Sequence, residues 1–213
     1  MICGAIFDLD GTLLDSMGLW AHLGEHFLRF HGIKPIEPFP CSLQSMDPWD
    51  AVCYLSDVYD LNLTERELQQ GIFALIDYAY SEQLPLKPDV PFFLEELQER
   101  GIRMVVATLS DRPLVEAALR RCHVRSYFSE LITCREAGCS KDNPRIFELA
   151  LRLLGTRKSE TLVFEDSSHA AETAVLAGFP VVGVRDRYAR HPEALREICD
   201  YYLEDFSHLP DFL

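Results

Sequence analysis

The string Ile6-Phe7-Asp8-Leu9-Asp10-Gly11-Thr12 places two carboxylates one residue apart at the end of an apolar run. Asp8 and Asp10 repel each other in a low-dielectric setting unless a cation or a shared proton offsets their charge. A positive partner is therefore expected. A calcium loop of the EF-hand kind does not supply the answer, since it needs Gly at its sixth position and Glu at its twelfth, whereas Gly11 is fourth and Leu19 falls at the twelfth. Three later stretches carry further reactive groups: Thr108-Leu109-Ser110, Lys141 shortly before Asn143-Pro144, and Glu165-Asp166. The histidines include one i,i+4 pair, His22 and His26, but no H-E-x-x-H string, which argues against a zinc site of that kind. Neither G-x-G-x-x-G nor a Walker lysine motif occurs, which argues against dinucleotide and P-loop nucleotide chemistry.

These groups need elements to hold them. Short apolar runs at Ile2 to Phe7, Ile102 to Ala107, Leu131 to Thr133, Leu162 to Phe164 and Val181 to Val184 alternate with helical patterns. Strands that are apolar throughout and separated by helices predict a doubly wound α/β fold, a parallel sheet covered on both faces. Ligands of such folds bind beyond the carboxyl ends of the strands. Asp8, Thr108 and Asp166 fall at or just past those ends. Between about Asp15 and Lys87 the alternation stops, and three helical patterns follow: one from Met17 to Gly32, one over Asp47 to Asp60, and one from Thr64, as N-cap, to Gln83. An inserted helical unit is predicted, with Pro85 to Pro88 as a stiff return segment.

The strings Phe7 to Ser16, Thr108 to Ser110, Lys141 to Pro144, Val163 to Ser167 and Ala177 to Val184 resemble the haloacid dehalogenase (HAD) superfamily, in its phosphatase and β-phosphoglucomutase-like branch. The resemblance covers the whole core and implies a HAD-like Rossmannoid sheet over residues 1–14 and 88–213, with 15–87 as an α-helical cap. It implies a phosphoric monoester hydrolase using Mg2+ and an aspartyl-phosphate. A phosphoryl group needs a nucleophile, charge neutralisation on its oxygens and a proton for the leaving oxygen. On this reading Asp8 is the nucleophile, and its carboxylate, the main-chain carbonyl of Asp10, Asp166 and, directly or through water, Glu165 hold the metal. The Asp10 side chain moves protons. Thr108, the neighbouring backbone N–H of Leu109, and Lys141 meet the phosphate. The chain departs from the family in reading Lys141-Asp142-Asn143-Pro144-Arg145 where K-P-x-P-D is common, and Ser16-Met17-Gly18-Leu19-Trp20 at the start of the cap, where mutase-like members often carry a histidine. A phosphatase acting on a small phosphorylated metabolite is the leading expectation. A phosphomutase shares every core residue, a HAD-fold binding protein without catalysis would not need the intact set, and a dehalogenase would not need the cation.

The bulk properties bound the rest. A chain of 213 residues with 48% hydrophobic content can bury a sizeable core, and no run approaches a bilayer-spanning length. The net charge of -14 argues against nucleic acid and anionic membrane as partners. Seven cysteines without a C-x-x-C pair suit reduced thiols, and Asp8 and Asp10 interrupt any leader-like stretch, so a cytoplasmic monomer or small homo-oligomer is expected.

Overall fold

The computed structural model describes residues 1–35, 48–189 and 192–208. The chain divides into two compact units, Met1–Asp15 with Leu84–Leu213, and Ser16–Gln83. The first unit is built on six strands: β1 (Gly4–Phe7), β2 (Arg103–Thr108), β3 (Phe128–Thr133), β4 (Thr161–Glu165), β5 (Val181–Val184) and β6 (Tyr201–Leu203). All neighbours are parallel, in the order β3-β2-β1-β4-β5-β6. This is the doubly wound arrangement, and its strand order reverses between β1 and β4, where a crevice opens at the carboxyl edge. β1, β4 and β5 are buried at every position, which explains their uninterrupted apolar runs.

The edges of the sheet are less apolar. β3 begins three residues before the predicted Leu131, because Ser129 and Glu130 break the apolar run yet are tolerated on an exposed edge strand. β6 was not predicted. It is three residues long and opens on exposed Tyr201, too short for any periodicity to register.

The second unit contains α1 (Met17–Ala21), α2 (Leu23–Phe30), α3 (Pro48–Val58) and α4 (Glu65–Tyr78), the last continued by a π-helical turn over Ala79–Gln83. The single helix expected over Met17 to Gly32 is two helices. His22 leaves helical dihedrals at φ -124°, ψ 28°, and its ring meets the Glu25 carboxylate at 3.2 Å. Buried Leu19, Leu23 and Phe27 keep one apolar stripe running through the break, so the periodicity does not reveal it. Thr64 caps α4 as expected: its side chain accepts from Glu67 N–H while Glu67 accepts from Thr64 N–H. The predicted start of the second helix, at Asp47, lies outside the described residues.

Returning to the first unit, the helices are α5 (Val90–Glu99), α6 (Arg112–Arg121), α7 (Cys134–Ala137), α8 (Arg145–Leu154), α9 (Ser168–Leu176) and α10 (Pro192–Ile198). The segment before α5 is pinned to the one after β1 by antiparallel hydrogen bonds, Lys87 N–H to Leu13 O at 2.8 Å and Asp15 N–H to Pro85 O at 3.0 Å. Both are also tied to the loop after β5. Lys87 Nζ reaches the Asp186 carboxylate at 3.0 Å and Arg185 O at 2.5 Å, and Arg187 reaches Asp15 at 3.1 Å.

Candidate active site

Three adjacent strands end together at the crevice. Asp8 follows β1 and extends its ladder, donating its N–H to Phe164 O at 3.0 Å. Gly11 then turns the chain at φ +81°, a left-handed conformation that a side chain would strain. Thr108 is the last residue of β2 and fully buried. Glu165 is the last residue of β4, and Asp166 follows it. Lys141 arrives from the loop between α7 and α8.

The structure brings Asp8, Lys141, Glu165 and Asp166 into one cluster. The Lys141 ammonium donates to both Asp8 Oδ1 and Glu165 Oε1. Asp8, Lys141 and Glu165 expose only 7%, 5% and 1% of their surface, so these are ion pairs taken out of water. One carboxylate oxygen each from Asp8, Glu165 and Asp166 lie within 4.8 Å of one another. Glu165 Oε2 is buried without a hydrogen-bond partner. Three carboxylates and one ammonium leave two formal negative charges in excess, all on hard oxygen donors. That donor set fits a divalent cation of the hard kind.

The electrostatics carry the same imprint. Burial, reinforced by the Glu165 and Asp10 charges, pushes the Asp8 carboxyl up to about 7 against the opposing pull of Lys141. Burial and the charges of Asp8 and Glu165 likewise hold Asp166 well above the usual carboxylate range. Burial alone would lower Lys141, but the attraction of two carboxylates outweighs it and raises the ammonium above its ordinary value. Asp8 and Lys141 thus pull in opposite senses at one contact. With two carboxylates in reach of one ammonium the contact is ionic, and carboxylate repulsion is what a further cation would relieve. Cys134 is no rival nucleophile, since burial pushes its thiol up to about 11.

The remaining candidates sit around this cluster. The Asp10 carboxylate is not among the three that converge. Its Oδ2 accepts from the Ser110 hydroxyl at 2.6 Å, so any share of Asp10 in metal binding falls to its main-chain carbonyl. Thr108 does not occupy the N-cap of α6, which is Asp111. Its Oγ1 accepts from Ser110 N–H at 3.1 Å. Leu109 is 63% exposed, and with an apolar side chain its backbone N–H is its means of meeting an anion. Pro144 precedes α8, and Asn143 Oδ1 accepts from Arg145 N–H at 3.0 Å. His169 meets Asp142 at 2.5 Å on the surface.

Two residues with contacts to the site carry no role in the sequence reading, although both stand in the quoted strings. Thr12, fully buried, points its hydroxyl at Asp166 Oδ1 across 3.5 Å, and Ser110 joins Asp10 to Thr108. Their adjacency to Asp10 and Thr108 was the only available signal.

Comparison with known proteins adds four likenesses. The family model described as haloacid dehalogenase-like hydrolase matches residues 5–184. A phosphoglycolate phosphatase of Rhodobacter capsulatus is 29% identical over 211 residues, covering 96% of this chain and 94% of that protein. The fructose-1-phosphate phosphatase YqaB of Escherichia coli is 27% identical over 187 residues, covering 85% and 96%. Among solved structures, a Thermotoga maritima protein named provisionally as a beta-phosphoglucomutase superposes with a TM-score of 0.84 at 22% identity, over 95% of this chain and 94% of that one. At that identity the superposition shows the fold.

Proposed function

Because the chain belongs to the haloacid dehalogenase-like hydrolases, we propose that it is a Mg2+-dependent phosphatase that hydrolyses a small phosphorylated metabolite through an aspartyl-phosphate on Asp8. The observation that carries this reading is the buried cluster of Asp8, Lys141, Glu165 and Asp166 at the strand ends, with Asp10 two residues from Asp8 and engaged elsewhere. The names of the two phosphatase relatives support the substrate class. The division of the chain supports reading 15–87 as the cap and 1–14 with 88–213 as the catalytic core. Six described cysteines are free, which supports a reducing, cytoplasmic setting.

The chemistry divides among the chain's own groups. An Asp8 oxygen attacks phosphorus as the ester P–O bond breaks, and the leaving oxygen takes a proton from Asp10. Asp10 then takes a proton from water, whose oxygen attacks phosphorus, breaking the Asp8–phosphorus bond and releasing phosphate. Lys141 and the Thr108 hydroxyl, with the Leu109 N–H, orient the phosphoryl oxygens. A Mg2+ ion would be held by Asp8, Asp166, the Asp10 main-chain carbonyl and, directly or through water, Glu165, and would supply charge neutralisation between the carboxylate nucleophile and the phosphoryl oxygens.

The test is phosphate release from a panel of phosphorylated metabolites, β-glucose 1-phosphate with catalytic glucose 1,6-bisphosphate included. We expect free phosphate and not an isomeric sugar phosphate, turnover that vanishes with chelator, and none from Asp8→Asn. An Asp8→Asn variant within tenfold of wild type, or full activity after exhaustive chelation, would overturn the mechanism.

A further inference from the structure

Ser110 stands in the three-residue stretch between the end of β2 and the start of α6, beside exposed Leu109. Its hydroxyl and its backbone N–H contact different partners. The hydroxyl donates to Asp10 Oδ2 at 2.6 Å, joining residues 100 apart in sequence, and the backbone N–H donates to Thr108 Oγ1 at 3.1 Å. Resting on the reading of the site given above, we propose that Ser110 is a positioning residue that sets the proton-transferring Asp10 carboxylate in register with the phosphate-orienting Thr108 hydroxyl.

The chemistry of each contact supports this role. An O–H donor at 2.6 Å from a carboxylate is in the short, charge-assisted range, so it fixes the rotation of the Asp10 carboxylate about its last bond. A hydroxyl both donates and accepts, so the contact survives whether Asp10 is ionised or carries the proton it will transfer. On the other side, an N–H occupies a lone pair of Thr108 Oγ1, which turns the hydroxyl hydrogen away from Ser110 and makes it a donor toward an anion. Ser110 itself touches no reacting atom on this account. Its effect passes through Asp10 and Thr108.

A misplaced acid matters only when the leaving group needs the proton. An alkoxide leaves poorly unless protonated, whereas p-nitrophenolate leaves without help. Because kcat/KM reports the steps up to the first irreversible one, transfer to Asp8, it isolates the acid role of Asp10 from its later role as base. For Ser110→Ala we expect kcat/KM to fall by about tenfold or more on an alkyl phosphate that the wild type hydrolyses, a part of the roughly 10²–10⁴-fold that acid–base catalysis typically contributes. On p-nitrophenyl phosphate the fall should be no more than about threefold, and Ser110→Thr, which keeps the hydroxyl, should restore most of the loss. Ser110→Cys, nearly isosteric but a weak donor, gives the same readout should the alanine variant unfold. Equal losses on both substrates, or no loss on either, would overturn the proposal while wild-type turnover stands. A wild-type protein that releases phosphate from neither substrate would instead overturn the parent reading, and this proposal with it.

Discussion

Asp8, Lys141 and Glu165 are buried together at a cost in desolvation that apolar residues of similar size would avoid. Under the proposed mechanism, their burial at three strand or loop ends serves chemistry and not stability. Asp8→Asn is accordingly expected to leave thermal stability at or above that of wild type, because it relieves repulsion from Asp10 and Glu165. A different carboxylate shows the opposite economy. Glu136 accepts from Arg112, which also donates to Leu131 O at 2.7 Å, and the hydrogen bond from that guanidinium holds the Glu136 carboxyl down at about 2. A folded-state value below the ordinary 4.5 means that the ionised form is favoured by folding. The contribution is therefore complete above about pH 4.5 and is lost as pH falls toward 2. Glutamine keeps the capping box in which residue 136 accepts from Thr133 N–H, so Glu136→Gln removes the charge and spares the cap. The variant should be less stable than wild type at pH 6 to 7, with the gap closing between pH 4.5 and 2 in urea titrations and shrinking with salt. A gap independent of pH would show that the ion pair contributes nothing, as many exposed pairs do.

At the scale of elements, legibility followed burial. Strands buried at every position, β1, β4 and β5, announce themselves as apolar runs, and the polar residues at the ends of β1 and β4 are site candidates. Edge strands β3 and β6 and the break at His22 depend on neighbours that a linear pattern does not contain. The same limit hid what fastens the crossing segments. Lys87 reads as part of a proline-rich return, yet its ammonium is paired with Asp186, whose side chain is only 1% exposed. Removing one partner of such a pair strands the other charge, at about 3 kcal/mol or more. Lys87→Met should lower the unfolding temperature by roughly 6 °C or more, at about 2–4 °C per kcal/mol for a chain of this length. Adding Asp186→Asn should recover a good part of it, because the buried charge left without its ammonium is then gone, while residue 186 can still accept from Tyr188 N–H. Calorimetry of the two single variants and the double variant measures the coupling, and strictly additive losses would show that the two side chains act independently.

Across the whole molecule the dominant feature is the net charge of -14. The basic cluster of Arg120, Arg121 and Arg125 does not offset it. Arg120 and Arg125 are paired with Glu116 at 3.0 and 3.1 Å, and Arg121 donates to Leu84 O. Lys141, the cation inside the cluster, is already matched by two carboxylates. A phosphorylated substrate is an anion, so it approaches against a repulsive long-range field and is attracted only at contact range. The Debye length falls from about 30 Å at 0.01 M ionic strength to about 8 Å at 0.15 M, which removes the repulsion beyond the site while leaving buried pairs nearly unscreened. Substrate capture should therefore improve with salt, kcat/KM rising by about two- to fivefold over that range at constant free Mg2+, with kcat nearly unchanged. A cationic steering surface would give the reverse. A fall in kcat/KM with added chloride, measured on the same metabolite at fixed pH, would show that the field at the entrance of the site is positive and that the overall charge does not govern encounter.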